Sequence, residues 1–281
     1  DISAIMRRLA AIYHHELENH DAAVLAYEHL VGLGAADNSA LNALRNLYRG
    51  AFSYAALAKL LRKMVKADEL PGESRVELYQ ELGEILSSYL YNTQEAVTVW
   101  NELLTIDSSN QTALSYLERL YLREGQHEAY LGVLKQKAEV TSDPVEKAAV
   151  LLTSAQAHLE FLGDAAGARV LLEEGQALDP GHEGIEQVLE RIYTEHGDAE
   201  AQGQMLLERL EREKSPQTRL EIFWKLTNLF QAAEDNAAAF EGQKTAFAEA
   251  SHDPSIRQEL EKCAGKVGEW EGLITFYMER L

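Results

Sequence analysis

The chain has 281 residues, 46 of them acidic against 26 basic, for a net charge of −20, and 46% are apolar. That charge repels phosphate backbones and anionic bilayers, so nucleic acid is excluded as the main partner, and the absence of any apolar run near about 18 residues excludes membrane insertion. The single cysteine, Cys263, excludes an internal disulfide and fits a reducing, cytoplasmic compartment, with the periplasm left open.

The residues are rich in Ala, Leu and Glu with only five prolines, which is helix-forming chemistry and predicts an all-α chain. The first predicted hairpin, 2–36, opens with Met6, Leu9, Ala10 and Tyr13, turns through Glu18 to Asp21, and returns with Ala23, Tyr27 and Leu30 at spacings of four and three. The second, 37–73, carries Leu41, Leu44 and Tyr48, turns near Gly50 to Ser53, and returns with Leu57, Leu61 and Met64. Lys66 to Ser74, including Pro71-Gly72, is expected to be a loop. The third, 74–109, holds Tyr79, Leu82, Gly83 and Leu86, then Ala96, Trp100 and Leu103, and the fourth, 110–146, holds Leu117, Leu120 and Tyr121, then Tyr130 and Leu134.

Asp143-Pro144 introduces the fifth, 147–180, with Leu152, Ala155 and Leu159, the turn Gly163-Asp164, then Ala168 and Leu172. The sixth, 181–218, runs through Leu189, Tyr193, Gly197-Asp198, Leu206 and Leu210. Ser215-Pro216 introduces the seventh, 219–252, with Phe223, Leu226, Phe230, Ala239, Ala246 and Phe247. The eighth, 253–281, begins at Asp253-Pro254 and carries Leu260, Ala264, Gly268, Leu273 and Tyr277.

One phrase recurs through these elements. Leu117-Glu118-Arg119-Leu120-Tyr121 returns as Leu44 to Tyr48, Leu189 to Tyr193 and, weakly, Leu260 to Ala264, its last position spaced 73, 72 and 71 residues apart. Pro71, Pro144, Pro180, Pro216 and Pro254 are spaced 73, 36, 36 and 38, and proline is tolerated at helix starts and loops but not inside helices. A fixed period of this kind marks a repeat protein. The unit is therefore two hairpins of about 36 residues each, giving eight hairpins and sixteen helices. A single hairpin cannot bury its apolar stripe, so each must stack on the next.

The hairpins resemble tetratricopeptide repeats. In the third the family's pattern falls on Tyr79, Leu82-Gly83, Leu86, Ala96, Trp100 and the Asp107-Ser108 corner, and in the fifth on Leu152, Ala155, Leu159, Gly163, Ala168, Leu172 and Asp179-Pro180. The even hairpins depart from it by placing Leu57, Tyr130, Gln202 and Leu273 where the family has a small Ala, and the first and third carry one extra residue before theirs. The resemblance covers essentially the whole chain and implies a right-handed α-solenoid, a TPR-like superhelix. Ala23, Ala96 and Ala168 are expected at helix crossings, with Tyr27, Trp100 and Leu172 filling the gap one turn on. The tyrosines of the recurring phrase are expected in the core, each with its hydroxyl at the rim.

Catalytic and metal chemistry is sparse. His14, His15 and His20 lack the four-residue spacing of a helical zinc pair, because Asn19 stands four after His15, and His15 and His20 are expected to diverge around the helix. Cys263 occupies the slot of Leu47, Leu120 and Ile192 and reads as a buried apolar substitute. No phosphate loop, nucleophile elbow or paired-cysteine site occurs, so neither enzyme nor cofactor is expected.

In the resembled family the first helix of each hairpin lines a concave groove, with its ninth position facing inward. Those positions are Asn46, Arg119, Arg191 and Lys262 in the even hairpins, extended a turn by Arg49, Arg123 and Lys266, and Ala11, Glu84, Ala157 and Asn228 in the odd ones. Two readings stay open. The ladder could pair with carboxylates of an acidic partner segment; or the phrase is only a repeat phrase, its Arg pairing with a Glu of the adjacent hairpin. Arg7, Asn42 and Asn46 only partly echo the family's peptide-carboxylate clamp, so recognition of chaperone C-termini is not implied.

The expected function is a scaffold or adaptor holding a partner protein or peptide. The alternative is a structural component that self-associates end to end or continues into further repeats, since Leu273, Ile274, Tyr277 and Leu281 form an apolar last helix with no polar cap after it. Asp1 is not a natural start, and an excised segment of a longer chain is expected.

Overall fold

A computed structural model of the chain describes residues 2–66 and 72–280. Among the described residues there are sixteen helices and no strand. They fall into two compact units, Asp1–Val140 and Thr141–Leu281.

The first unit holds α1 (Ile2–Ala11), α2 (His20–Gly32), α3 (Asn38–Gly50), α4 (Tyr54–Val65), α5 (Gly72–Ser88), α6 (Thr93–Ile106), α7 (Gln111–Arg123) and α8 (His127–Val140). Each helix packs on the next, and α5 also touches α7. The second unit holds α9 (Pro144–Ala157), α10 (Ala165–Leu178), α11 (Glu183–His196), α12 (Ala199–Arg212), α13 (Pro216–Ala232), α14 (Asn236–Glu249), α15 (Pro254–Val267) and α16 (Trp270–Met278), again packed in succession.

Capping chemistry sets most of these boundaries. Asn19, Asp37, Asn92, Asn110, Asp143, Asp164, Asp198, Ser215, Asp235 and Asp253 each accept a backbone N–H from the first turn of the following helix. Those donors have no partner inside the helix, so the side chain supplies the missing acceptor. Pro144, Pro216 and Pro254 sit in the first turn, where the absent N–H costs nothing, as their spacing predicted. Pro71 lies outside the described residues, but Gly72 to Ser74, expected to be loop, already belong to α5.

Every hairpin turns on one residue at positive φ: Glu18, Phe52, Tyr91, Gly125, Gly163, Gly197, Glu234 and Gly268. Taken two hairpins apart these positions keep the 73, 72 and 71 spacing of the recurring tyrosine. Only four of the eight are glycine, which is why composition alone does not reveal the rule.

The first hairpin, expected to carry an extra residue, holds a π-helical turn, Ile12–Glu16, at the end of α1, whereas the third, expected to carry one too, runs as unbroken α-helix through α5. A second such turn, His158–Leu162, follows α9, where none was expected. A π turn fits one surplus residue into a helix without breaking it.

The core follows the expected faces. Ala23, Ala96 and Ala168 are fully buried, as are Trp100 and Leu172, while Tyr27 is nearly so. The Trp100 indole donates to Ser87 Oγ at 3.1 Å and stacks on Tyr116 with ring centres 4.7 Å apart.

The tyrosines of the recurring phrase are buried, and each hydroxyl meets a polar group twenty residues earlier. Tyr48 donates to Glu28, Tyr121 accepts from Asn101 Nδ2 at 2.9 Å, and Tyr193 donates to Glu173 Oε1 at 3.1 Å. Each pair ties the second helix of an odd hairpin to the first helix of the even one. At the fourth recurrence both members change together, to Lys244 and Ala264.

Candidate functional site

On α3, α7, α11 and α15 the recurring leucines and tyrosines turn inward, which leaves Asn46, Arg119, Arg191 and Lys262 on the exposed side. Their neighbours decide what they are free to do. Arg49 and Arg45 both bind Glu81 of α5, Arg49 with its Nε at 3.0 Å. Arg123 donates to Thr93 Oγ1 at 2.5 Å and lies 3.4 Å from Glu124. Lys262 pairs with Glu259 at 2.9 Å, and Lys266 donates to Gln231 Oε1 at 2.8 Å. Burial alone would raise the Glu259 pKa, but bonds from Lys262 and Gln231 outweigh it and hold the carboxyl below its ordinary value.

Arg119 and Arg191 differ from Arg49, Arg123, Lys262 and Lys266. The Arg119 guanidinium lies over the Tyr116 ring at 5.7 Å, and among the described residues neither arginine has an ion-pair partner. Arg191 borders a shallow depression of about 410 Å³ with Gln187, Glu190, Thr194 and Glu195. Asn46 also makes no hydrogen bond among the described residues. In the odd hairpins Glu84 and Asn228 are exposed, but Ala157 is buried and faces no groove.

At two of the four repeats the residue before the ladder position carries inter-hairpin electrostatics, whereas Glu118 pairs with Lys137 of its own hairpin. Arg45 binds Glu81 in the first unit, and Glu190 binds Lys225 at 2.5 Å in the second. Both pairs join the first helix of an even hairpin to that of the following odd one, with the charges exchanged. Pairing to an adjacent hairpin therefore belongs to Arg45, Arg49 and Glu190 and not to Arg119 or Arg191.

The histidines correct one expectation. His15 lies in the π turn and His20 opens α2, so the chain reverses between them and they do not diverge around one helix. The His14 ring stacks on His15 at 4.3 Å and meets His20 edge-on at 6.2 Å. Burial first, then the charges of His15 and His20, lower the His14 pKa. Among the described residues no group of three or more His, Cys, Asp or Glu is placed to hold a metal ion. Cys263 is buried, with its thiol pKa pushed up by that burial. No described helix is long and apolar enough to cross a membrane.

Two features escaped the sequence reading. Phe52, Tyr54, Tyr89 and Tyr91 form an aromatic edge at the turns of the second and third hairpins, Tyr54 stacked on Tyr89 at 4.0 Å. Residues 38–67 contain no Asp or Glu but six cations, Arg45, Arg49, Lys59, Arg62, Lys63 and Lys66. That second signal was legible as charge segregation within an acidic chain.

No family model and no curated protein matches the chain. Among solved structures, that of Naa15/Naa10 bound to HypK-THB matches with a TM-score of 0.50 at 12% identity, covering 94% of this chain and 39% of that one. YrrB, described as a TPR protein with an unusual peptide-binding site, matches with a TM-score of 0.40 at 13% identity over 73% of this chain and 99% of its own. The C-terminal part of a TPR repeat-containing protein from Cytophaga hutchinsonii gives 0.42 at 13% identity over 91% and 99%. At these identities the likeness concerns the fold alone: among the described residues the chain is an all-α array of helical hairpins.

Proposed function

From a chain built of TPR-like helical hairpins, we propose a protein-interaction scaffold that holds a partner protein or peptide segment along the exposed faces of the first helices, with Arg119 and Arg191 as contacts. One observation carries this reading. These two guanidiniums occupy the same repeat position 72 residues apart and are exposed with no carboxylate partner among the described residues, whereas Arg49, Arg123, Lys262 and Lys266 are already engaged. An unpaired guanidinium offers a planar fork for a partner's carboxylate. Each contact belongs to its own unit, and the role requires no catalytic group.

The test is affinity capture with the intact chain, comparing wild type with Arg119→Glu and Arg191→Glu. Loss of the same captured protein in both variants is expected. Unchanged capture removes the two arginines from the account.

A second reading, self-association, rests on Trp270, Ile274 and Met278, which leave a face of α16 exposed; of the residues the sequence assigned to that face, Leu273 is buried and Tyr277 packs against the same core, so only Ile274 remains on it. Leu281, counted with this face in the sequence, lies outside the described residues. Light scattering across a concentration series tests it, and a strictly monodisperse monomer would sink it.

A further inference from the structure

The acid-free stretch 38–67 builds α3 and α4, and α4 forms one wall of a cleft of about 720 Å³ with α2 and α3. Ala56, Lys59, Leu60 and Lys63 stand at helical spacings of three, one and three, so one stripe of α4 faces the cleft. Leu44, Leu60 and Val31 give it an apolar floor. Of the six cations in the stretch, Arg45 and Arg49 are held by Glu81, and Arg62 by Glu95. Lys59 has no ion pair among the described residues, and Lys63 donates only to the Val31 carbonyl at 2.9 Å. The one carboxylate in the wall, Glu28, accepts the Tyr48 hydroxyl.

A depression along α8, one repeat further on, shows what is particular here. It is about half the size, near 370 Å³, and is bordered by Ser108, Lys135, Gln136 and Glu139, so a carboxylate stands beside its lysine. Gln136 stands where Lys63 stands one unit earlier and donates to a backbone carbonyl in the same manner, to Ser108 at 3.0 Å. A lysine is therefore not needed to hold the helices at that position.

We infer that the α2–α4 cleft is a docking site for an acidic, amphipathic partner peptide, with Leu or Phe side chains on the apolar floor and carboxylates on Lys59 and Lys63. Two ammonium groups one helical turn apart match carboxylates on one edge of an extended or helical segment. In a chain of net charge −20 a local surplus of cations selects acidic segments and repels most others. The site lies on α2, α3 and α4, uses neither Arg119 nor Arg191, and goes beyond the scaffold reading above.

The test uses the intact chain and a fluorescein-labelled peptide of about twelve residues built from Glu, Leu and Phe, followed by anisotropy. A second peptide replaces Leu and Phe with Ala at the same charge. Saturable binding of the first peptide is expected, weakened about tenfold or more by Lys59→Gln with Lys63→Gln and reduced by raised salt. Gly32→Phe should block it sterically, since a side chain built at Gly32 begins with nothing within 4 Å and extends into the cleft mouth. Melting curves of these variants should match wild type, because Gln at 63 can keep the carbonyl bond. Arg119→Glu and Arg191→Glu should leave this binding unchanged, which separates it from the scaffold test. Equal binding of the Ala peptide, or affinity unaffected by the double Gln and Gly32→Phe variants, would overturn the inference. Concentration-dependent dimerisation lost in Gly32→Phe would also overturn it, by making the occupant a second copy of this chain.

Discussion

A methyl group built on Gly83 would lie 2.4 Å from Cε2 of Trp100, whose ring is fully buried against that point of α5. The Leu-Gly pair of the third hairpin is thus a contact requirement and not a backbone one, because Gly83 sits within the helix. Gly83→Ala should cost about 1–3 kcal/mol through overpacking, read as a lowered urea midpoint and a shift of Trp100 fluorescence. That requirement was legible, since a small residue opposite a large aromatic at repeat spacing predicts close approach. The turn residues were only half legible. Gly125, Gly163, Gly197 and Gly268 advertise their positive φ, whereas Glu18, Phe52, Tyr91 and Glu234 adopt it with no compositional signal.

At the scale of the element, caps and inter-helix polar pairs decide how each hairpin closes. Asp198 accepts the Ala201 N–H at 3.1 Å and also holds Arg169, which stacks on the Tyr193 ring at 4.9 Å. Asp198→Ala should therefore lower the denaturant midpoint, because the cap and the hold on Arg169 are lost together. The N–H of Ala201 first, then the bond from Arg169, holds the Asp198 carboxyl below its ordinary range. Its contribution is present above the unfolded carboxylate pKa and is lost as pH falls through the lower folded value.

Tyr193 titrates with the opposite consequence. Burial first, then the charge of Glu173 and the bond to it, pushes the phenol up to about 12. An unfolded tyrosine ionises near about 10, so this stabilisation is complete below that pH and is lost as pH rises towards the folded value. Urea midpoints of wild type should fall across that alkaline interval, and Tyr193→Phe should remove that part of the fall. The tyrosines were legible as core, but their acceptors were not. Glu28, Asn101 and Glu173 belong to the preceding hairpin, and no local pattern links residues twenty apart. The same holds for Arg49, Arg123 and Lys266, whose partners stand 30 to 35 residues away. Position within the repeat identified the ladder, and only packing showed that, among the described residues, its cations without an ion pair or hydrogen bond are Arg119 and Arg191.

Over the whole molecule, charge is unevenly shared. Thr141–Leu281 carries 27 acids against 13 bases, while Asp1–Val140 carries 19 against 13. Self-repulsion at low ionic strength should therefore burden the second unit more. Raising NaCl from about 0.01 M to about 0.5 M shortens the screening length from about 30 Å to a few ångströms. Hydrogen exchange should slow on that change, and more in α9–α16 than in α1–α8. Equal slowing in both units would count against this account. The period and the helix count were legible at this scale because each repeat must bury the same face. The acid-free hairpin α3–α4 was written as plainly in the charges, yet its meaning depends on the cleft that α2 completes.

The pairing of each buried tyrosine with a group twenty residues upstream has a consequence for anyone recombining this chain. Glu28 with Tyr48, Asn101 with Tyr121 and Glu173 with Tyr193 each span the join between an odd hairpin and the even one after it. Chimaeras cut before an odd hairpin move every hydroxyl together with its acceptor, and such cassettes should exchange freely. Cuts before an even hairpin would set Tyr193 beside Lys244, or Ala264 beside Glu173, and lose the hydroxyl–carboxylate bond at that join. The transferable module is therefore the 72-residue pair in one reading frame only, although the helices alone would suggest that any hairpin could serve.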